Sequence, residues 1–209
     1  MRHWVFDLDG TLVDSFGPYD TTMREIFAEK GVEWSAQHFI EALSTSPAVL
    51  IERYIGANAV AECMAKLRVR ANEDARRIRP YEGIVETLAH LREQGSRVAV
   101  WTGRDLESAQ IIIESSGLGA LVESCTSGTC VQINKPNPEG LLRVVKSFNC
   151  RADEVYMVGD HDHDMMAARE VGAQAVRVKW NPYWSAVECQ RAHHQFEHVR
   201  DFATWLGKL

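Results

Sequence analysis

Two textures of apolar and polar positions divide the chain. Trp4-Val5-Phe6 is a short apolar run leading into Asp7-Leu8-Asp9-Gly10-Thr11, which predicts a buried strand ending in a turn. Phe16-Gly17-Pro18 then reads as a break. From Tyr19 to Arg79 the periodicity is helical, with no convincing strand. Met23, Ile26 and Phe27 fall at i, i+3, i+4 before Gly31, and Phe39, Ile40 and Leu43 mark a second short helix. Pro47 can open a third helix through Val49, Leu50, Tyr54 and Ile55, a fourth is expected over about 58–78, and Pro80 closes the block.

After Pro80 helices and strands alternate. Residues 83–94 predict a helix with Ile84, Leu88 and Leu91 on one face. Arg97-Val98-Ala99-Val100-Trp101 predicts a strand ending at Thr102-Gly103-Arg104, and a helix follows from Asp105 to Gly117. Leu121-Val122 begins a weak strand, and Asn137-Pro138 offers the cap and first residue of a helix carrying Leu141, Leu142, Val144 and Val145. Glu154 to Val158 is the clearest strand and ends at Gly159-Asp160. A helix through Met165, Ala168 and Val171, a strand Ala175-Val176-Arg177-Val178, a further strand over 196–199 and a terminal helix complete the pattern. This alternation predicts an α/β fold with a doubly wound, mainly parallel sheet, built from residues 1–15 and 80–209 and interrupted by a helical insert, 16–79.

Composition narrows the function classes. A hydrophobic content of 45% with 25% charged residues suits a globular domain, and the formal net charge of −6 without a basic block argues against a nucleic-acid partner. No apolar run approaches the ~20 residues of a membrane-spanning helix, so no membrane association is expected. The cysteines, Cys63, Cys125, Cys130, Cys150 and Cys189, are scattered without a C-x-x-C pair; reduced thiols in a cytoplasmic protein without a leader are the expectation. Oligomeric state is left open. An anionic small substrate remains compatible with the acidic chain, because a divalent cation can supply positive charge locally.

In doubly wound sheets ligands bind beyond the carboxyl ends of the strands. Asp7, Asp9, Thr102 and Asp160 all fall at predicted ends of that kind. With Lys135 they offer carboxylates, a hydroxyl and an ammonium. Oxygen ligands suit Mg²⁺, an aspartate can attack phosphorus, and a second carboxyl can protonate a leaving alkoxide. The run Asp160-His161-Asp162-His163-Asp164 opens like a calcium loop, but Met165 stands where glycine is needed and Val171 where the bidentate Glu belongs. His161 and His163 leave a transition-metal site as an alternative. The stretch Trp180 to His194, with Trp184 and His193-His194, carries no readable role.

The sequence DLDGT at 7–11, TG at 102–103, the lysine of KPNPE at 135–139 and GDHDHD at 159–164 resemble, in order, the four motifs of the haloacid dehalogenase superfamily, in particular its phosphoglycolate-phosphatase-like members with a helical cap. The resemblance implies a Mg²⁺-dependent phosphatase acting on a small phosphorylated metabolite through an aspartyl phosphate, with 16–79 as the cap. By matching position, Asp7 would be nucleophile and metal ligand, and Asp9 the general acid/base with its backbone carbonyl on the metal. Thr102 and Gly103 would bind phosphate, Lys135 would hold the phosphate beside Asp7, and Asp160 and Asp164 would serve the metal. Asp9 argues against dehalogenase chemistry. A phosphotransferase or mutase of the same superfamily, and a receiver-like phospho-aspartate module, are the alternatives; Tyr19 stands where the related hexose-phosphate mutases have a cap histidine.

Overall fold

The structure, a computed structural model, describes residues 1–43, 45–181 and 191–209. It divides into two compact units, Met1–Asp14 with Ile78–Leu209, and Ser15–Arg77. The first unit opens with β1 (His3–Phe6), buried at all four positions. The chain folds back at Gly10, whose φ of 77° is a left-handed value open to a residue without Cβ, and enters β2 (Val13–Asp14).

The second unit contains α1 (Phe16–Glu29), α2 (Ala36–Ala42), α3 (Pro47–Tyr54) and α4 (Val60–Ala75). The expected break at Phe16-Gly17-Pro18 is instead the first turn of α1. N–H groups there have no intrahelical acceptor, so Pro18 forfeits no helical hydrogen bond. Met23, Ile26 and Phe27 from α1 meet Trp34, Phe39, Leu50, Ile51, Cys63 and Leu67 in one apolar core. The helical stripes read from the sequence therefore close on one another within this unit.

The chain re-enters the first unit through β3 (Arg79–Pro80), antiparallel to β2. There follow α5 (Ile84–Glu93), β4 (Val98–Trp101), α6 (Leu106–Ser115), β5 (Ser124–Thr126) and α7 (Glu139–Phe148). Then come β6 (Val155–Gly159), α8 (Asp162–Val171), β7 (Gln174–Val178), β8 (His194–Phe196) and α9 (Val199–Leu206). Three boundaries differ from expectation. Leu121 and Val122 donate their N–H groups to the Leu118 carbonyl and so finish the turn after α6, leaving the strand to start at Ser124. Pro138, not Asn137, takes the N-cap position of α7, while the Asn137 side chain accepts the Glu139 N–H at 3.0 Å. The last strand lies at 194–196, because Val199 already begins α9.

The six strands of the main sheet run in the order β5-β4-β1-β6-β7-β8, every pair parallel. Val5 lies in register with Ala99 and Met157, and Met157 with Ala175. This row packs against Leu141 and Val144 of α7 and Met165 and Ala168 of α8. Burial of such side chains, roughly 1.5–3 kcal/mol for each large aliphatic one, fixes which helices cover which face. The connection from β1 runs toward β4 and that from β6 toward β7, so winding reverses between β1 and β6. That reversal opens a crevice at their carboxyl ends.

Candidate active site

The two strands flanking the reversal carry Asp7 and Asp160 just past their ends. Asp7 prolongs the ladder by one bond, its N–H donating to the Val158 carbonyl at 2.8 Å. Asp160 follows Gly159 and is fully buried. Asp164 joins them from the first turn of α8. One carboxylate oxygen from each of Asp7, Asp160 and Asp164 lies within 4.8 Å of the others. Lys135 places Nζ 2.7 Å from an oxygen of Asp7 and 2.7 Å from an oxygen of Asp164.

Glycines make room for this cluster. A Cβ on Gly159 would stand 2.3 Å from Asp164 Oδ2, so only a bare Cα lets that carboxylate in. A Cβ on Gly140 would stand 2.0 Å from the Trp101 Nε1. Close packing of α7 on that indole places the Trp101 ring 4.7 Å from Lys135 Nζ, a cation–π distance.

The two histidines serve the helix start. His161 is the N-cap of α8, its Nδ1 accepting the His163 N–H at 3.1 Å, while Asp164 Oδ2 accepts the His161 N–H at 3.3 Å. This reciprocal cap orients Asp164 toward Lys135. Among the described residues the candidate metal cluster is made of carboxylates alone.

Thr102 and Gly103 sit at the end of β4, the strand beside β1. Thr102 is buried, donates its N–H to the Thr126 carbonyl at 3.0 Å and accepts the Arg104 N–H on Oγ at 3.2 Å. The Asp9 carboxylate is outside the acidic trio. Both of its oxygens accept from Arg104 Nε, at 2.8 and 2.7 Å.

Sequence reasoning passed over Arg104, named only as the end of a strand, and Asn181. Asn181 Nδ2 donates to Asp160 Oδ2 at 3.0 Å, with both residues fully buried. The signal was available: Asn181 follows β7, the neighbour of β6, so it too lies past a carboxyl end of the sheet. Its neighbour Trp180 donates Nε1–H to the Thr11 carbonyl at 3.0 Å and ties down the turn after β1. Trp184 and Cys189, from the same unassigned stretch, lie outside the described residues.

Crowding of acids sets the electrostatics. Burial, together with Asp164 and Asp9, pushes Asp7 up to about 7 against the pull of Lys135. Burial, then Asp7 and Asp164, hold Asp160 well above the usual carboxyl range. For Lys135 burial favours the neutral amine, but Asp164 and Asp7 outweigh it and keep the ammonium. Burial and neighbouring His163 lower His161 to about 4, leaving it neutral. Three buried carboxylates sharing one ammonium form a set that a small hard dication would complete. The donors present fit such an ion.

The model of the family described as haloacid dehalogenase-like hydrolase matches residues 4–178. The chain is 29% identical over 185 residues to a probable phosphatase, IndB, of Dickeya dadantii, covering 84% of this chain and 80% of that protein. It is 28% identical to the pyrophosphatase PpaX of Halalkalibacterium halodurans, covering 83% and 81%. The fold superposes on the solved structure of a predicted phosphoglycolate phosphatase from Haemophilus somnus with a TM-score of 0.87 at 19% identity, covering 99% and 98% of the two chains.

Proposed function

The chain belongs to the haloacid dehalogenase-like hydrolase family, and from that premise we propose that it is a Mg²⁺-dependent phosphatase of small phosphorylated metabolites that works through an aspartyl phosphate on Asp7. The observation that carries this reading is the convergence of Asp7, Lys135, Asp160 and Asp164 at the winding reversal. The names of its relatives, a phosphatase and a pyrophosphatase, support phosphoryl chemistry.

In the first step a carboxylate oxygen of Asp7 bonds to phosphorus as the bond from phosphorus to the ester oxygen breaks. Asp9 delivers its proton to the departing alkoxide. In the second step Asp9 takes a proton from water, whose oxygen bonds to phosphorus while the bond to Asp7 breaks and releases phosphate. Lys135 neutralises Asp7 and holds a phosphoryl oxygen; the Thr102 hydroxyl and the Gly103 N–H hold the others. Asp7, Asp160 and the Asp9 backbone carbonyl would hold Mg²⁺, with Asp164 supporting its water shell. The bound ion would offset the charge that gathers between carboxylate and phosphoryl oxygens. We assign the compact helical unit, Ser15–Arg77, close to the insert expected at 16–79, as the cap that selects the substrate.

A panel of phosphorylated metabolites, read by phosphate release with Mg²⁺ and with EDTA, tests the proposal. Turnover that requires Mg²⁺ and vanishes in Asp7→Asn is the expected result. Substantial phosphate release by the Asn variant would refute the nucleophile assignment, and revival by Zn²⁺ alone would refute the magnesium assignment.

A further inference from the structure

Away from the acidic site, a groove of about 880 Å³ opens between α5 and α9. All of its walls belong to the first unit, and none of Asp7, Thr102, Lys135, Asp160 or Asp164 lines it. One stripe of α5 borders it, Gly83, Glu86, Thr87 and His90, at the i, i+3, i+4, i+7 spacing of a helix face. Val199, Ala203 and Leu206 border it from α9 at i, i+4, i+7. The helices come close where a Cβ on Gly83 would stand 3.3 Å from Val199 Cγ1. Farther along, Ala203 and Gly207 carry too little side chain to close the gap.

Two kinds of group define what this space can hold. Tyr81 and Trp180 supply aromatic walls, and both residues are pinned. The Tyr81 N–H donates to the Leu12 carbonyl at 3.0 Å, and Trp180 Nε1–H donates to the Thr11 carbonyl at 3.0 Å. Glu82 and Glu86 are exposed at the rim, just before and within the first turn of α5. That place suits the helix dipole, yet among the described residues no cation pairs with either carboxylate. Arg200 keeps 81% of its side chain in solvent and lies 3.7 Å from Asp201. Of the bordering imidazoles, His90 meets the Gln94 amide at 2.9 Å and His198 stands at the N-cap of α9. The formal charge left uncompensated beside the aromatic walls is therefore negative.

We propose that this groove binds a small organic cation, an apolar body carrying an ammonium group. The body covers Val199, Ala203 and Leu206 and releases water from them. Aromatic faces with carboxylates beside them favour an ammonium over a neutral or anionic head. Binding here is independent of the reaction proposed for Asp7.

Tryptamine, tryptophol and indole-3-acetate test it, because they share an indole and differ in an ammonium, hydroxyl or carboxylate head. Calorimetric titration of the full chain in excess Mg²⁺, which keeps the ammonium from competing for the acidic trio, gives the three Kd values. Tryptamine is expected to bind about tenfold more tightly than tryptophol, the scale of one such contact, with indole-3-acetate weakest. Glu82→Gln/Glu86→Gln should bring tryptamine to the tryptophol value and leave tryptophol unchanged. Glu93→Gln/Glu170→Gln removes the same charge from exposed positions outside the groove and should preserve the preference. Ala203→Leu, which fills the gap between the helices, should weaken all three. Absence of binding by all three compounds, tighter binding of the carboxylate, or a preference for tryptamine that survives Glu82→Gln/Glu86→Gln would overturn the proposal.

Discussion

Asn181 donates its amide N–H to Asp160 at 3.0 Å, and neither side chain reaches solvent. The bond occupies one lone pair of a carboxylate that two neighbouring acids already repel. It thereby fixes which way Asp160 turns its other oxygen. Groups that orient a metal ligand in this manner typically contribute ~10–100-fold to metal affinity. Asn181→Ala should raise the Mg²⁺ concentration needed for half-maximal thermal stabilisation by about that factor, as read by scanning calorimetry against Mg²⁺. An unchanged midpoint would show that Asp160 needs no such support.

The raised Asp7 predicts a pH dependence of defined sign in metal-free protein. Its ordinary carboxyl value is 3.8 and its folded value is about 7. Between these values the folded chain keeps a proton that the unfolded chain has released, so this carboxyl destabilises the fold as pH rises toward 7. His161, lowered to about 4, acts in the opposite sense over an overlapping range. Comparison with Asp7→Asn separates the two, because the histidine is present in both proteins. In EDTA, the Tm of wild type minus that of Asp7→Asn should become more negative from pH 4 to 8, by about 2–4 °C for each kcal/mol involved. Mg²⁺ should recover the loss most strongly at the alkaline end. A difference independent of pH would mean that Asp7 titrates as an ordinary acid.

Gly159 is predicted to be intolerant of any side chain. Alanine would place a methyl 2.3 Å from Asp164 Oδ2, inside a site whose neighbours are all buried. Overpacking of this kind costs roughly 1–3 kcal/mol, and here the displaced group is also a candidate metal-shell acid. Gly159→Ala should therefore lower both Tm and Mg²⁺ affinity. By contrast Gly17→Ala, in α1 where a Cβ meets nothing within 4 Å, should lower neither. Thermal melts with and without Mg²⁺ compare the two.

Much of this architecture was legible from pattern alone, and the places where it was not have a common cause. Apolar runs located β1, β4, β6 and β7 to within a residue or two, because buried parallel strands are continuous apolar segments. The strand at Ser124–Thr126 was misplaced because its residues are small and polar, while apolar Leu121 and Val122 spend their N–H groups on a turn. Pro18 misled because proline breaks a helix interior yet fits its first turn. Arg104 and Asn181 carried no motif; their importance lies in which acid each one touches.

The order of elements, the chemistry of the acidic turn after the first strand, and the placement of polar residues at strand ends were properties of the sequence itself. They follow from local periodicity and from residue types whose chemistry does not depend on context. The grouping of Lys135 and Asp164 with Asp7 and Asp160 was expected from the motif resemblance, but tertiary structure alone decided that Lys135 bridges Asp7 and Asp164, that Asp9 faces an arginine, and that His161 and His163 cap a helix. Each of those facts is a distance between residues remote in the chain or a competition among nearby hydrogen-bond partners. Only packing the helices onto the sheet sets such distances, because the sheet order brings β1 and β6 side by side although more than a hundred residues separate them.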